Sequence, residues 1–242
     1  MLKNLISILP FLALAAGLST SACATPSGDA VSVPRPSHSP YPEIWFAPVN
    51  DPNPPAWEIL PQAAGPGEVI LSKRNELGIL SNFAPTPFKF RGRTYGSLEG
   101  FWQMMHFPES KVDGKPDPRR KLSRTEWKYE RDAVAAMTAF EAKAAGDHGE
   151  KLEAKLGIDW VSFEGHSLIY RSAKRGEHYR LIRSAMIAKL KQNPEVRRIL
   201  LATGDLVLRP DHHGEANAPD EWLYYQVWME LRAELFAGLP LE

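Results

Sequence analysis

Apolar positions fall into three kinds of run along this chain. The first has no period. Leu5 to Leu18 is apolar except for Ser7, Pro10 and Gly17. The second alternates or is short. Val69-Ile70-Leu71 predicts a brief strand, and Phe88-Lys89-Phe90 and Arg93-Thr94-Tyr95 around Arg91-Gly92 predict a hairpin. The third has the helical period. Ile182, Met186 and Leu190 recur at i, i+4, i+8 and predict a helix from about Glu177 to Gln192. Val134, Met137 and Phe140 predict another from Asp132 to about Ala145, with Gly146 as its stop. Ser97 is placed as the N-cap of a helix running through about Phe107. Pro194 sits in the first turn of a helix ending near Thr203-Gly204, and a last helix starts near Pro219-Asp220 and carries Leu223, Val227, Leu231 and Leu235. Strands do not alternate regularly with helices, so the reading is α+β: one helix-rich domain with a few short strands.

The leading apolar run follows the positive start Met1-Leu2-Lys3-Asn4 and precedes the small residues Ser19 to Ala24. That is the three-part pattern of an export signal, assigned to residues 1–24, and it is too short for a comfortable membrane span. Two cleavages fit: after Ala24, or before Cys23 with that cysteine lipidated, although Thr20 stands where a lipoprotein signal has Leu or a similar residue. Either places the mature chain outside the cytoplasm, in the periplasm or anchored as a lipoprotein. Residues 25–66 hold eleven of the 21 prolines and read as a proline-rich extension or spacer. Tyr41, Trp45, Phe46 and Trp57 within it predict that part of it packs on the domain, which is assigned to 67–242.

Composition narrows the partners. Twenty-nine basic and 29 acidic residues cancel, and losing Lys3 with the leader turns the balance to −1. A chain that follows a phosphate backbone is usually strongly basic, so nucleic acid is not expected as a dominant partner. One cysteine excludes a disulfide framework and a cysteine-rich zinc site. His212-His213 is the only histidine pair, and neighbouring residues on a regular element face different ways, so no metal site is expected. Phosphate loops of the GxxxxGK type, GxGxxG and GxSxG are absent.

What remains is an ordered series. Leu80-Ser81-Asn82-Phe83 is followed by Pro87-Phe88, Arg91-Gly92, Tyr95 and Ser97-Leu98-Glu99-Gly100-Phe101-Trp102-Gln103. Ala144-Ala145-Gly146, Trp160, Met186-Ile187-Ala188-Lys189 and Leu200-Leu201-Ala202-Thr203-Gly204-Asp205 come later. In order and spacing, from about Glu76 to Leu235, this series resembles the NADAR family, also called YbiA-like proteins. The resemblance implies a helix-rich α+β fold and N-glycosidase activity. Known family reactions are hydrolysis of phosphoribosyl riboflavin precursors and removal of ADP-ribose from modified bases, within a wider association with ADP-ribose and NAD metabolism. It carries Asn82, Glu99, Trp102, Trp160, Lys189 and Asp205 over as family residues. We take Glu99, His106 and Asp205 as catalytic candidates, and Asn82, Phe83, Trp102, Gln103, Trp160, Lys189 and Trp222 as substrate-binding candidates. No cofactor is implied.

The chemistry suits these residue types. Cleaving an N-glycosidic bond builds positive charge on the ribose, and a carboxylate beside it stabilises that charge and can activate water. Glu99 is placed for this in the first turn after Ser97, where it would also complement the helix N-terminus. Trp102, at i+3, shares its face and could hold a planar base or pack in the core. Asn82 offers donors and acceptors to a ribose or phosphate, or serves a turn before Phe83. Asp205 after Gly204 also fits a cap or turn. Lys111 to Arg131 carries eight basic and four acidic residues and reads as a solvated charged loop, with a phosphate-binding flap as the alternative.

Three features depart from the family pattern. His106 stands where a Lys usually follows the Glu by seven residues; it cannot form a stable imine but can act as acid or base near neutral pH. Trp222 runs into Leu223-Tyr224-Tyr225-Gln226 with no glycine-rich loop. An exported protein does not meet cytosolic riboflavin precursors. The first expectation is therefore an exported N-glycosidase acting on a ribosylated, phosphorylated small molecule or ADP-ribosyl adduct. The alternatives are a catalytically impaired ADP-ribose or nucleotide-binding module, and an envelope interaction module that keeps only the fold. A membrane contact is expected only through a lipid on Cys23.

Overall fold

The computed structural model describes residues 40–171, 175–214 and 217–241. The chain divides into Met1–Arg35 and Pro36–Glu242. The expected export signal, Cys23 and the extension up to residue 39 lie outside the described residues.

Strand β1 (Glu68–Ile70) pairs in parallel with β8 (Val207–Arg209), so the first and last strands meet in one two-stranded sheet. Between them come β2 (Phe88–Phe90), β3 (Arg93–Tyr95), α1 (Leu98–Gln103), β4 (Lys111–Val112), β5 (Lys115–Pro116), α2 (Arg124–Trp127), α3 (Arg131–Ala136) and α4 (Ala139–Lys155). Then follow β6 (Val161–Phe163), β7 (His166–Leu168), α5 (Glu177–Gln192) and α6 (Pro194–Ala202), with α7 (Tyr224–Phe236) after β8. All sheets among the described residues are two-stranded, and the fold is the helix-rich α+β architecture expected. Among the described residues no helix is long and apolar enough to cross a membrane.

The β2–β3 hairpin turns on Arg91 and Gly92, both at positive φ, the backbone a two-residue hairpin loop requires. It pairs Phe88 with Tyr95, whose rings stack, and Phe101 of α1 packs edge-on against both. Ser97 caps α1: its Oγ accepts from Gly100 N at 2.9 Å and donates to Met137 O at 2.9 Å. A second bond lies in the same place, from Gly96 N to Ala135 O at 3.0 Å.

Those two bonds correct the expected helix Asp132–Ala145. Carbonyls 135 and 137 are taken by the start of α1, so α3 ends at Ala136, Met137 and Thr138 are extended, and α4 begins afresh at Ala139. Gly146 is not a stop. It lies inside α4, where a Cβ would stand 1.6 Å from Gln103 Oε1, so the glycine is there to let α1 approach. The last predicted helix also divides, into a 3-10 turn Asp220–Trp222 and then α7.

Residues 40–66 lie on this body. Trp45 is fully buried and donates its indole N–H to Glu76 Oε1 at 2.7 Å. Glu58 bridges to His212, Ile59 N donates to Asp211 O at 2.8 Å, and His213 N donates to Trp57 O at 3.3 Å. Lys111–Arg131 is solvated along most of its length, with six of its eight basic residues exposed, but it is not an irregular loop. It folds as the β4–β5 hairpin, a 3-10 turn and α2, and Arg119 within it is fully buried.

Candidate active-site cleft

Two short-spaced helical stripes line one cleft of about 440 Å³. One belongs to α1 and the 3-10 turn Met104–His106 that continues it: Glu99, Trp102, Gln103 and His106, at i, i+3, i+4 and i+7. The other is Phe140, Lys143, Asp147 and Glu150 of α4. Gly146 lies between Lys143 and Asp147 and permits the close approach. Loop residues close the cleft: Asn82 and Phe83 before the hairpin, Trp57 from the proline-rich segment, His212 and His213, and Trp222 and Tyr224 at the start of α7.

Glu99 keeps only 6% of its surface exposed. Its backbone N–H donates to Asn82 O at 2.9 Å, which ties the loop to the first turn of α1. Its carboxylate accepts from Gln103 Nε2 at 2.7 Å. Burial raises its pKa above the ordinary carboxylate value, and the Gln103 bond and the charge of Lys143 oppose that rise. A carboxylate so placed is more basic than one in water, with one partner fixing its plane.

His106 is also buried, with Nδ1 2.6 Å from Glu153 Oε2. With the carboxylate as acceptor, Nδ1 carries the proton and Nε2 is the ring nitrogen left for the cleft. Arg119 holds Glu153 in turn: it donates to Glu153 Oε1 at 2.9 Å, to Asp117 Oδ2 at 2.8 Å and to Met105 O at 2.8 Å, and it also bonds Ser162 Oγ. The imidazole therefore stands on a buried network of one guanidinium and two carboxylates that fixes its orientation.

Cations on the walls are matched by acids. Lys73 Nζ contacts Asp211 at 2.6 Å, Arg171 pairs with Glu150 at 2.7 Å, and Lys143 pairs with Asp147. For Glu150, burial acts upward, but the bonds from Arg171 and Tyr170 outweigh it and hold the carboxyl below its ordinary pKa. Aromatic rings supply the apolar area. Trp57 and Phe83 both meet Phe140 edge-on, at 5.8 and 5.0 Å between centroids, and the Arg171 guanidinium lies 4.8 Å over Trp222.

Seven sequence-predicted residues thus share one cleft: Asn82, Phe83, Glu99, Trp102, Gln103, His106 and Trp222. Three do not. Asp205 is exposed, lies outside this cleft and bonds the Tyr41 hydroxyl, which fastens the proline-rich segment. Trp160 lies outside the cleft with its ring 4.8 Å from the Arg119 guanidinium, and so covers the buried network. Lys189 is fully buried and donates to Ile79 O and Ser81 O, both at 3.1 Å. Burial lowers its pKa to about 7. Trp228 Nε1 takes Leu80 O at 2.7 Å, so three successive carbonyls just before Asn82 are pinned from below. Sequence reasoning missed the α4 stripe, Lys73, Trp57 and Tyr224. The α4 spacing is legible once the helix is allowed to run past Gly146; the others reach the cleft only through the tertiary fold.

No family model matches the chain, and no curated protein matches it. Among solved structures, the fold is similar to the NMR structure of the E. coli protein YbiA, at 21% sequence identity and a TM-score of 0.41, over 69% of this chain and 83% of that one.

Proposed function

We propose that this cleft is the active site of an exported N-glycosidase that hydrolyses the bond between ribose and base in a phosphorylated ribosyl compound or an ADP-ribosyl adduct. The observation that carries the reading is the single face of α1, which presents a buried carboxylate, a Trp and an oriented His to one cleft. In this reading the C1′–N bond breaks and its electron pair leaves with the base nitrogen. Glu99 stabilises the ribosyl cation that forms. Water oxygen bonds to C1′ as His106 Nε2 takes one of its protons; that proton passes to a base that leaves as an anion, or to solvent when the base leaves neutral, as nicotinamide does from NAD. Trp102 supplies a flat apolar wall for the base.

The test is release of free base from NAD, ADP-ribosylated guanine and phosphoribosyl aminopyrimidines. Glu99→Gln should lower turnover by roughly 10²–10³ and leave affinity nearly unchanged, because the lost charge matters mainly in the transition state. A variant as fast as the parent refutes the role of Glu99. A large rate loss in His106→Ala supports the histidine as acid–base group. One observation favours a second reading. The bond from His106 to the Glu153–Arg119 network is also what a purely structural histidine would make. Binding of ADP-ribose with no hydrolysis of any substrate would establish a binding module instead. Export rests on the pattern of residues 1–24, and a reporter fused to them should cross the membrane; a reporter retained in the cytosol refutes it.

A further inference from the structure

Buried polar atoms without a partner are rare, because each forgoes its bonds to water for nothing in return. Among the described residues one such atom is the Tyr224 hydroxyl, and Trp222 Nε1 is another. Both side chains line the cleft. Tyr224 retains 4% of its surface, and its ring stacks on His212 at 6.3 Å with the planes 8° apart. Among the described residues no protein group bonds the hydroxyl. Trp222 and Tyr224 flank Leu223, where the 3-10 turn gives way to α7, so a short break in helical structure brings two orphaned donors to one wall.

We propose that Tyr224 is a substrate-binding residue whose hydroxyl donates to a neutral oxygen of the bound sugar, a ribose hydroxyl or ring oxygen. The charges around it select this class of acceptor. Asp211 and Glu99 are the carboxylates whose charge acts on the Tyr224 hydroxyl, and their field opposes an anionic acceptor there. Asp211 is already matched by Lys73. The same surroundings keep the hydroxyl protonated, so it is a donor throughout the physiological range. The assignment deepens the glycosidase reading, since it puts the sugar beside Glu99, but it concerns binding and can be tested without turnover.

The variant is Tyr224→Phe, which removes one oxygen and nothing else. Three probes are titrated by calorimetry into parent and variant: ADP-ribose, ribose 5-phosphate and inorganic pyrophosphate. ADP-ribose and ribose 5-phosphate should bind roughly two- to tenfold more weakly to the variant, the range of one neutral hydrogen bond. Pyrophosphate should bind parent and variant alike. The melting temperature should be unchanged or higher, because no internal partner is lost and a desolvated hydroxyl is removed. A fall of several degrees would mean the hydroxyl has a structural partner, and the assignment fails. Unchanged sugar affinities, or a pyrophosphate affinity that falls equally, also overturn it. A parent that binds neither sugar probe overturns it together with the ribosyl reading. A parent that binds ADP-ribose but releases no base defeats only the hydrolytic reading, and the Tyr224 result then stands by itself.

Discussion

Gly146→Ala separates the packing described here from a purely local account of α4. In an exposed helix interior the change should stabilise by about 0.8–1.0 kcal/mol, the propensity gap between the two residues. At Gly146 the added Cβ would fall 1.6 Å from Gln103 Oε1 and 2.2 Å from its Cδ. The amide cannot stay. It is the far end of a flexible side chain, but it is buried and holds the Glu99 carboxylate. Moving it forfeits a charge-assisted bond, about 1.5–3 kcal/mol, and crowds a filled interface, about 1–3 kcal/mol. Set against the propensity gain, the net loss is roughly 1.5–5 kcal/mol.

The control is the same change in a Gln103→Ala background. There the obstacle is gone, and Gly146→Ala should recover its propensity and stabilise by about 0.8–1.0 kcal/mol. Urea unfolding of the four proteins measures both effects, with constant m-values as the check that the end states are comparable. The sign of the Gly146→Ala effect should reverse between backgrounds. A stabilising effect in the parent, or the same effect in both backgrounds, would refute the contact between α1 and α4 and with it the geometry assigned to Glu99.

Lys189 predicts a pH dependence. Its pKa is about 7 in the fold and about 10.4 in the unfolded chain, so between these values the unfolded state binds more protons and stability rises with pH. The contribution is fully present above the unfolded pKa and lost as pH falls through about 7, over a span of roughly 4–5 kcal/mol. Urea unfolding between pH 7 and 9.5 should show a climb in the parent that Lys189→Met abolishes; equal slopes would refute it. Trp45→Ala should cost about 3–5 kcal/mol by emptying a fully buried Trp site and freeing the bond to Glu76. A loss under 1 kcal/mol in thermal or urea unfolding would show that the segment around Trp45 adds little to the domain.

The parts of the fold legible in sequence are those whose cause is local. Arg91-Gly92 sets a hairpin by backbone preference, Ser97 caps by its own side chain, and the stripe of α5 repeats every turn. Sequence reading erred where a distant partner outbid the local rule. The α3–α4 break is invisible in residues 131–146, because its cause is the capture of carbonyls 135 and 137 by Gly96 and Ser97, some 40 positions earlier. Gly146 looks like a helix stop, since glycine ends helices more often than it makes room for a neighbour. The prolines of 40–66 read as a spacer, but the aromatics among them predict that part of it packs on the domain, and Trp45 does fill a core position and Trp57 a wall of the cleft.

The site divides in the same way. One face of α1 was readable because 99, 102, 103 and 106 obey helical spacing, whereas residue type alone could not tell a ligand contact from a support. Lys189 shows the difference. Its Nζ holds carbonyls 79 and 81, Trp228 holds carbonyl 80, and carbonyl 82 then receives the N–H of Glu99. A buried lysine outside the cleft is thus joined to the Glu99 carboxylate through four consecutive residues of backbone. An ordered motif can therefore mix residues that face a ligand with residues that only fix where those sit. For Lys189 the second role follows from burial: an amine shut away from the cleft can act on a ligand only through the loop it holds. Its loss should accordingly disturb the position of Asn82 and Glu99 without removing any contact to the ligand itself.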